Sequence, residues 1–203
     1  WAKDPSIGAR MINARGETVA EKPAFRSAFR RMRCLIPADG FYEWEATPSG
    51  KQPWFIRLKS QGLLAFAGLW EHWQAPDGTP LETATIITTD ANELMRPLHD
   101  RMPAIVPFDK QDLWLDPAVQ EAVNPFGGGQ RLVEFVAAPD GQIELLPADA
   151  VEDGGAQAEE LAETQRVGNH EQVDVPAPLR IIDARAVEID LGAACGRDSL
   201  IGD

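Results

Sequence analysis

The sequence predicts an α+β fold: a mainly antiparallel, barrel-like sheet carrying a few short helices. Three observations predict it. Short β-branched or aromatic runs follow one another between turn clusters. Helical candidates are brief and irregularly spaced, and no strand-helix-strand rhythm runs through the chain.

Taken in order, Lys22-Pro23-Ala24-Phe25 opens a helix, because proline is tolerated in a first turn, and Phe25 and Phe29 then share one face. Cys34–Ile36 and Gly40–Trp44 read as strands around Pro37-Ala38-Asp39. Pro48-Ser49-Gly50 is a turn, Pro53–Leu58 alternates, and Leu63–Trp73 is a long, largely apolar strand. Pro76-Asp77-Gly78 closes a hairpin onto the β-branched run Thr83–Thr88. Asp90 is expected to cap a helix with Glu93 reaching back. Pro97 and Pro103 bracket His99, and Asp109–Leu115 is a last short helix.

The texture changes near Asn124. All six tryptophans, the single tyrosine and six of the eight phenylalanines precede it. Pro125-Phe126-Gly127-Gly128-Gly129 marks the join, and Glu152–Glu163 is acidic and rich in small residues. The expected organisation is one domain over 1–124 followed by an acidic tail over 125–203, weakly ordered, with short strands at Leu179–Ile182 and Val187–Leu191.

Charge follows the same division. The net charge of -13 conceals a basic front, with eleven Lys/Arg against six Asp/Glu in residues 1–60. Arg26, Arg30, Arg31 and Arg33 crowd there, either as a solvated helix face or as a surface for phosphates. No run reaches the roughly 18–20 apolar residues of a membrane span, and WAKDPSIGAR lacks the apolar centre of a secretory signal. Two distant cysteines, Cys34 and Cys195, suggest neither a disulfide framework nor a zinc knuckle. A cytoplasmic monomer without membrane contact is the expectation. Scattered histidines and the lack of a glycine-rich phosphate loop argue for no metal and no cofactor.

Three polar residues sit in rigid surroundings: Asn13 in MINARGET, Glu43 in CLIPADGFYEW and His99 in LHDRMP. Read singly, Asn13 is a turn former, Glu43 either a surface acid or a carboxylate lining a cleft, and His99 a structural histidine. Cys34 with His99 offers a thiol hydrolase as a competing arrangement, although Leu35 and Ile36 suggest that Cys34 is buried.

Together, these three segments, with Ala67-Gly68-Leu69-Trp70-Glu71 and Ile87-Thr88-Thr89, resemble the SOS-response-associated peptidases, the abasic-site processing proteins. The resemblance spans about residues 1–117. It implies a domain that captures abasic sites in single-stranded DNA through an N-terminal cysteine exposed by removal of the initiator methionine. Thiol and amine together close a thiazolidine on the opened sugar. Asn13 then matches the asparagine that positions the N-terminal residue and sugar, and Glu43 the glutamate that moves protons. His99 matches the histidine at the sugar and its flanking phosphate. Arg15 matches an arginine on the DNA backbone, Trp1 and Trp44 resemble base-stacking aromatics, and Arg26 and Arg30 fit a phosphate-tracking face.

Two departures accompany the match. Trp1 aligns with a tryptophan well inside the family sequence, so the Met-Cys opening and its strands are not among these residues. The family's closing segment is not recognisable after Asn124. The expectation is a domain lacking its nucleophile, located with the nucleoid. The rival readings are a non-catalytic single-strand-binding module and an inactive fragment.

Overall fold

The computed structural model describes residues 2, 3, 5–8, 10–119 and 142–150. Among these described residues, eight strands form two sheets: β1 (Asn13–Arg15), β2 (Arg33–Ala38), β3 (Phe41–Thr47), β4 (Gly50–Leu58), β5 (Leu64–Gln74), β6 (Pro80–Asp90), β7 (Arg101–Pro103) and β8 (Ile143–Pro147). With them, in the same residues, are four short α-helices: α1 (Pro5–Gly8), α2 (Gly16–Val19), α3 (Arg26–Arg31) and α4 (Gln111–Leu115). One sheet runs β1-β6-β5-β2 with β7 added to β6; the other runs β3-β4-β8. All pairings are antiparallel except β1 with β6. The expected α+β class is what the chain adopts, as two open sheets rather than a closed barrel.

The sheets share one core, and the helices cover the far side of the larger sheet. Strand alternation decides which residue goes where. On β5, Leu64 and Phe66 enter the inter-sheet core with Cys34, Ile36, Phe41, Ile56 and Ile86. Ala67 and Leu69 instead enter a second core with Ala14, Phe29, Ile87 and Trp114. Burial on both faces is why Leu63–Trp73 reads as an apolar run. Phe25 and Phe29 both meet the second core, as their spacing predicts, although α3 itself begins only at Arg26.

Two expectations are corrected. Asp90 ends β6 and caps no helix; residues 93–98 form turns, and Asn92 Oδ1 accepts the Met95 N–H at 2.9 Å. Proline at 97 leaves that segment too short to propagate a helix. Arg33 leaves the basic cluster: it is 7% exposed, donates to the carbonyls of Phe29, Trp114 and Asp116, and lies over the Trp114 ring at 5.6 Å. Burial pushes its pKa down, opposed by Asp116. Past Asn124, β8 pairs with β4, and Arg57 Nε meets Glu144 Oε1 at 2.9 Å. Ile143, buried in the inter-sheet core, supplies the apolar anchor. Leu179–Ile182 and Val187–Leu191 lie outside the described residues.

Gly40 and Gly68 show how closely neighbouring strands pack. A Cβ on Gly40 would lie 2.5 Å from the Ile56 carbonyl oxygen, a backbone atom that cannot rotate away. On Gly68 it would meet side chains, Ile36 Cδ1 at 2.7 Å and Cys34 Sγ at 2.9 Å. Gly40→Ala should therefore cost about 2–3 kcal/mol and more than Gly68→Ala, as read from urea unfolding midpoints; the reverse order would contradict this packing.

Cys34 gives a pH signature. Burial pushes its thiol from an ordinary 9.0 up to about 12. The raised folded value means the neutral thiol's contribution is complete below pH 9.0 and is lost as pH rises toward about 12. Melting temperature should fall across that window, and Cys34→Ala should flatten the fall, leaving the part due to Tyr42, also raised by burial. An identical slope in the variant would contradict the assignment.

Candidate functional site

Asn13 opens β1 and pairs in register with Ile86, a residue of the inter-sheet core. Its neighbour Ala14 lies in the second core, so alternation turns Asn13 and Arg15 toward the inter-sheet side. Asn13 is half-buried and Arg15 exposed. The three residues owe their position to the parallel pairing with β6 and to α2, which starts immediately after them.

Glu43 sits in the middle of β3, opposite Trp54 on β4. It is 5% exposed, a depth at which few carboxylates are found unless they serve the site around them. Tyr42 and Trp44 pack with Phe55 and Ala148 on one face of β3, and Glu43 shares the other face with Phe41. Trp54, partly buried against the inter-sheet core, stands beside it and donates its indole N–H to Glu45 Oε2 at 3.0 Å. Glu43 and Asn13 thus each face the inter-sheet side of their own sheet. Trp44 looks away from both, and Trp1 lies outside the described residues.

His99 follows the turns after β6, beside Leu98, which packs on the inter-sheet core. Its N–H donates to the Met95 carbonyl at 3.0 Å, and Ala91 N–H donates to the Asp100 carbonyl at 2.9 Å, which closes the loop at its base. The imidazole Nδ1 accepts the Arg101 N–H at 2.9 Å, with Asp100 Oδ1 3.0 Å away. Because a backbone N–H can only donate, that contact requires a lone pair on Nδ1 and so places the proton of the neutral ring on Nε2.

Arg101 in LHDRMP and Glu17 in MINARGET are further members of the site that their local sequence does not mark. Arg101 is 7% exposed, and its guanidinium is the joint between the two segments. Nη1 donates to Glu17 Oε1 at 2.6 Å and to Asp90 Oδ1 at 2.8 Å; Nη2 donates to Glu17 Oε2 at 3.0 Å and to the Thr88 carbonyl at 2.7 Å. A bidentate fork of this kind is specific to arginine with a carboxylate. MINARGET, carrying Asn13, is thereby tied to LHDRMP, carrying His99. The signal available in sequence was an opposite charge in each of two rigid motifs.

Arg26, Arg30 and Arg31 are exposed on α3, away from the inter-sheet core, on the helix-covered side of the larger sheet. On that side a cavity of about 150 Å³ lies among Ala2, Phe25, Ala28, Trp73 and Thr85; Asn13, Glu43 and His99 do not line it. Cys34, buried between the sheets with its thiol held neutral, is no partner for His99 in nucleophilic chemistry.

Comparison with known proteins agrees with this arrangement of segments. The family described as SOS response associated peptidase (SRAP) matches residues 1–135. The chain is 56% identical over 118 residues to the abasic site processing protein YoqW of Bacillus subtilis, covering 58% of this chain and 53% of that protein. It is 39% identical over 134 residues to the abasic site processing protein HMCES of Xenopus tropicalis, covering 56% and 40%. A crystal structure of a Bacteroides thetaiotaomicron protein superposes with a TM-score of 0.64 at 27% identity, covering 72% of this chain and 64% of that one. The chain spans about half the length of the curated relatives it matches. It belongs to the SOS response associated peptidase family.

Proposed function

We propose that this chain forms the sugar-handling part of an abasic-site processing protein that binds single-stranded DNA and links to it covalently. The observation that carries the reading is a buried carboxylate, Glu43, on the inter-sheet face of one sheet, with Asn13 on the inter-sheet face of the other and the Arg101–Glu17 fork tying Asn13's segment to His99's. Family membership and relatives named abasic site processing proteins support it.

The chemistry asks for three services. The amine of an N-terminal cysteine adds to the aldehyde of the opened sugar and expels water as the imine forms. The thiol then adds to the imine carbon and its proton passes to nitrogen, which closes the thiazolidine. Glu43 carries protons in the addition and in cleavage of the initiator methionine, where a water-poor setting strengthens its effect. Asn13 orients the cysteine and the sugar. His99, with its proton on Nε2, donates to a sugar or phosphate oxygen. Arg15, exposed beside Asn13, and Arg26 and Arg30, exposed on α3, meet the backbone phosphates. The cysteine has no counterpart in residues 1–203, whose two thiols are Cys34 and Cys195.

An abasic single-stranded oligonucleotide tests the proposal. The chain 1–203 alone is expected to bind it with an affinity that falls as salt rises, leaving no heat-stable adduct. Fused behind a Met-Cys opening segment of the family, it should give such an adduct, and Glu43→Gln should slow that reaction roughly a hundredfold. A heat-stable adduct on 1–203, or none from a cooperatively folded fusion, overturns the reading.

A further inference from the structure

We propose that Glu17 is a positioning residue for His99, acting through Arg101 to hold the imidazole in its Nε2–H tautomer. Two groups compete for Nδ1. The Arg101 N–H, 2.9 Å away, demands a lone pair there; the Asp100 carboxylate, 3.0 Å away, favours a proton. The two demands select opposite tautomers of a neutral ring. Asp100 is 82% exposed, so its charge is spread into water. The Arg101 N–H keeps its aim as long as the Arg101 backbone stays in β7.

Besides the pairing of β7 with β6, what keeps it there is the side chain. The guanidinium is held by both Glu17 oxygens, 84 residues earlier in the chain, together with the Thr88 carbonyl and Asp90. Asp90 is 87% exposed and contributes little once solvated. Glu17, at 40%, is the more shielded of the two acids and the only one that grips the fork with both oxygens. Loosening it lets the Arg101 N–H drift from Nδ1, and Asp100 then draws the proton to Nδ1. His99 changes from a hydrogen-bond donor at Nε2 into an acceptor there. The tautomer follows from the hydrogen bonds alone; that Nε2–H serves the reaction rests on the function proposed above.

The test is a long-range ¹H–¹⁵N correlation spectrum of the histidine rings at about pH 8.5, above the ordinary imidazole range. His99→Gln identifies the signals. The wild-type chain should show His99 almost wholly as Nε2–H. Glu17→Gln should raise the Nδ1–H share about tenfold, the scale of one charge-assisted hydrogen bond, and Glu17→Asp should do so to a lesser degree. Adding Asp100→Asn to Glu17→Gln removes the competing carboxylate and should restore Nε2–H, which a merely structural loss of Glu17 would not allow. A wild-type ring that is mixed or Nδ1–H overturns the proposal. So does an unchanged ratio in whichever Glu17 variant melts cooperatively. The expected tautomers in a protein whose fused form makes no crosslink would overturn the function and leave this inference standing.

Discussion

The arrangement depends on one buried cation. A guanidinium taken out of water is costly unless its charge and its N–H groups are matched. Both terminal nitrogens of Arg101 are matched, by Glu17 from α2 and by the Thr88 carbonyl and Asp90 from β6, while its buried Nε has no hydrogen-bond partner among the described residues. Three segments distant in sequence thereby meet at fixed angles. β1 gains its position because α2 follows it directly and is pinned through Glu17; the His99 loop gains its position because β7 ends it. The pairs Asn13↔Ile86 and Arg15↔Thr88 then continue the same fixed geometry across β6.

The second constraint is steric. Gly40 lets the start of β3 lie on the Ile56 carbonyl and Phe55 ring of β4 without room for a side chain, and Gly68 lets Cys34 and Ile36 of β2 close over β5. β3 itself lies against the inter-sheet core, so its alternation sends Phe41 and Glu43 inward and Tyr42 and Trp44 outward. The depth of Glu43 is thus a product of strand parity and of where β3 lies. A carboxylate on this strand shifted by one residue would sit on the outer face with Trp44.

Much of this was legible in the residues. Alternation and turn chemistry located β2 to β6 to within a few residues, and strand parity alone turns Glu43 away from Tyr42 and Trp44 once β3 is a strand. What escaped was governed by contacts between distant segments. Arg33 looked like one more member of a basic cluster, because nothing local reveals that Trp114 and Asp116 would receive it. Asp90 looked like a cap, because its partner Arg101 lies eleven residues on and across a strand pair. β8 is a short apolar run in an acidic stretch, and only the free edge of β4 makes it a strand. The roles of Asn13, Glu43 and His99 came from the motif resemblance, and geometry adds orientation and burial to them.

The functional reading therefore rests on the joint between MINARGET and LHDRMP being energetically real. A double-mutant cycle between Glu17→Gln and Arg101→Met, followed by urea unfolding, measures it most directly. The account predicts a coupling of about 1–3 kcal/mol, since either substitution alone destroys the fork and the second then costs little more. Additivity to within about 0.5 kcal/mol would show that the two motifs are held together by something else.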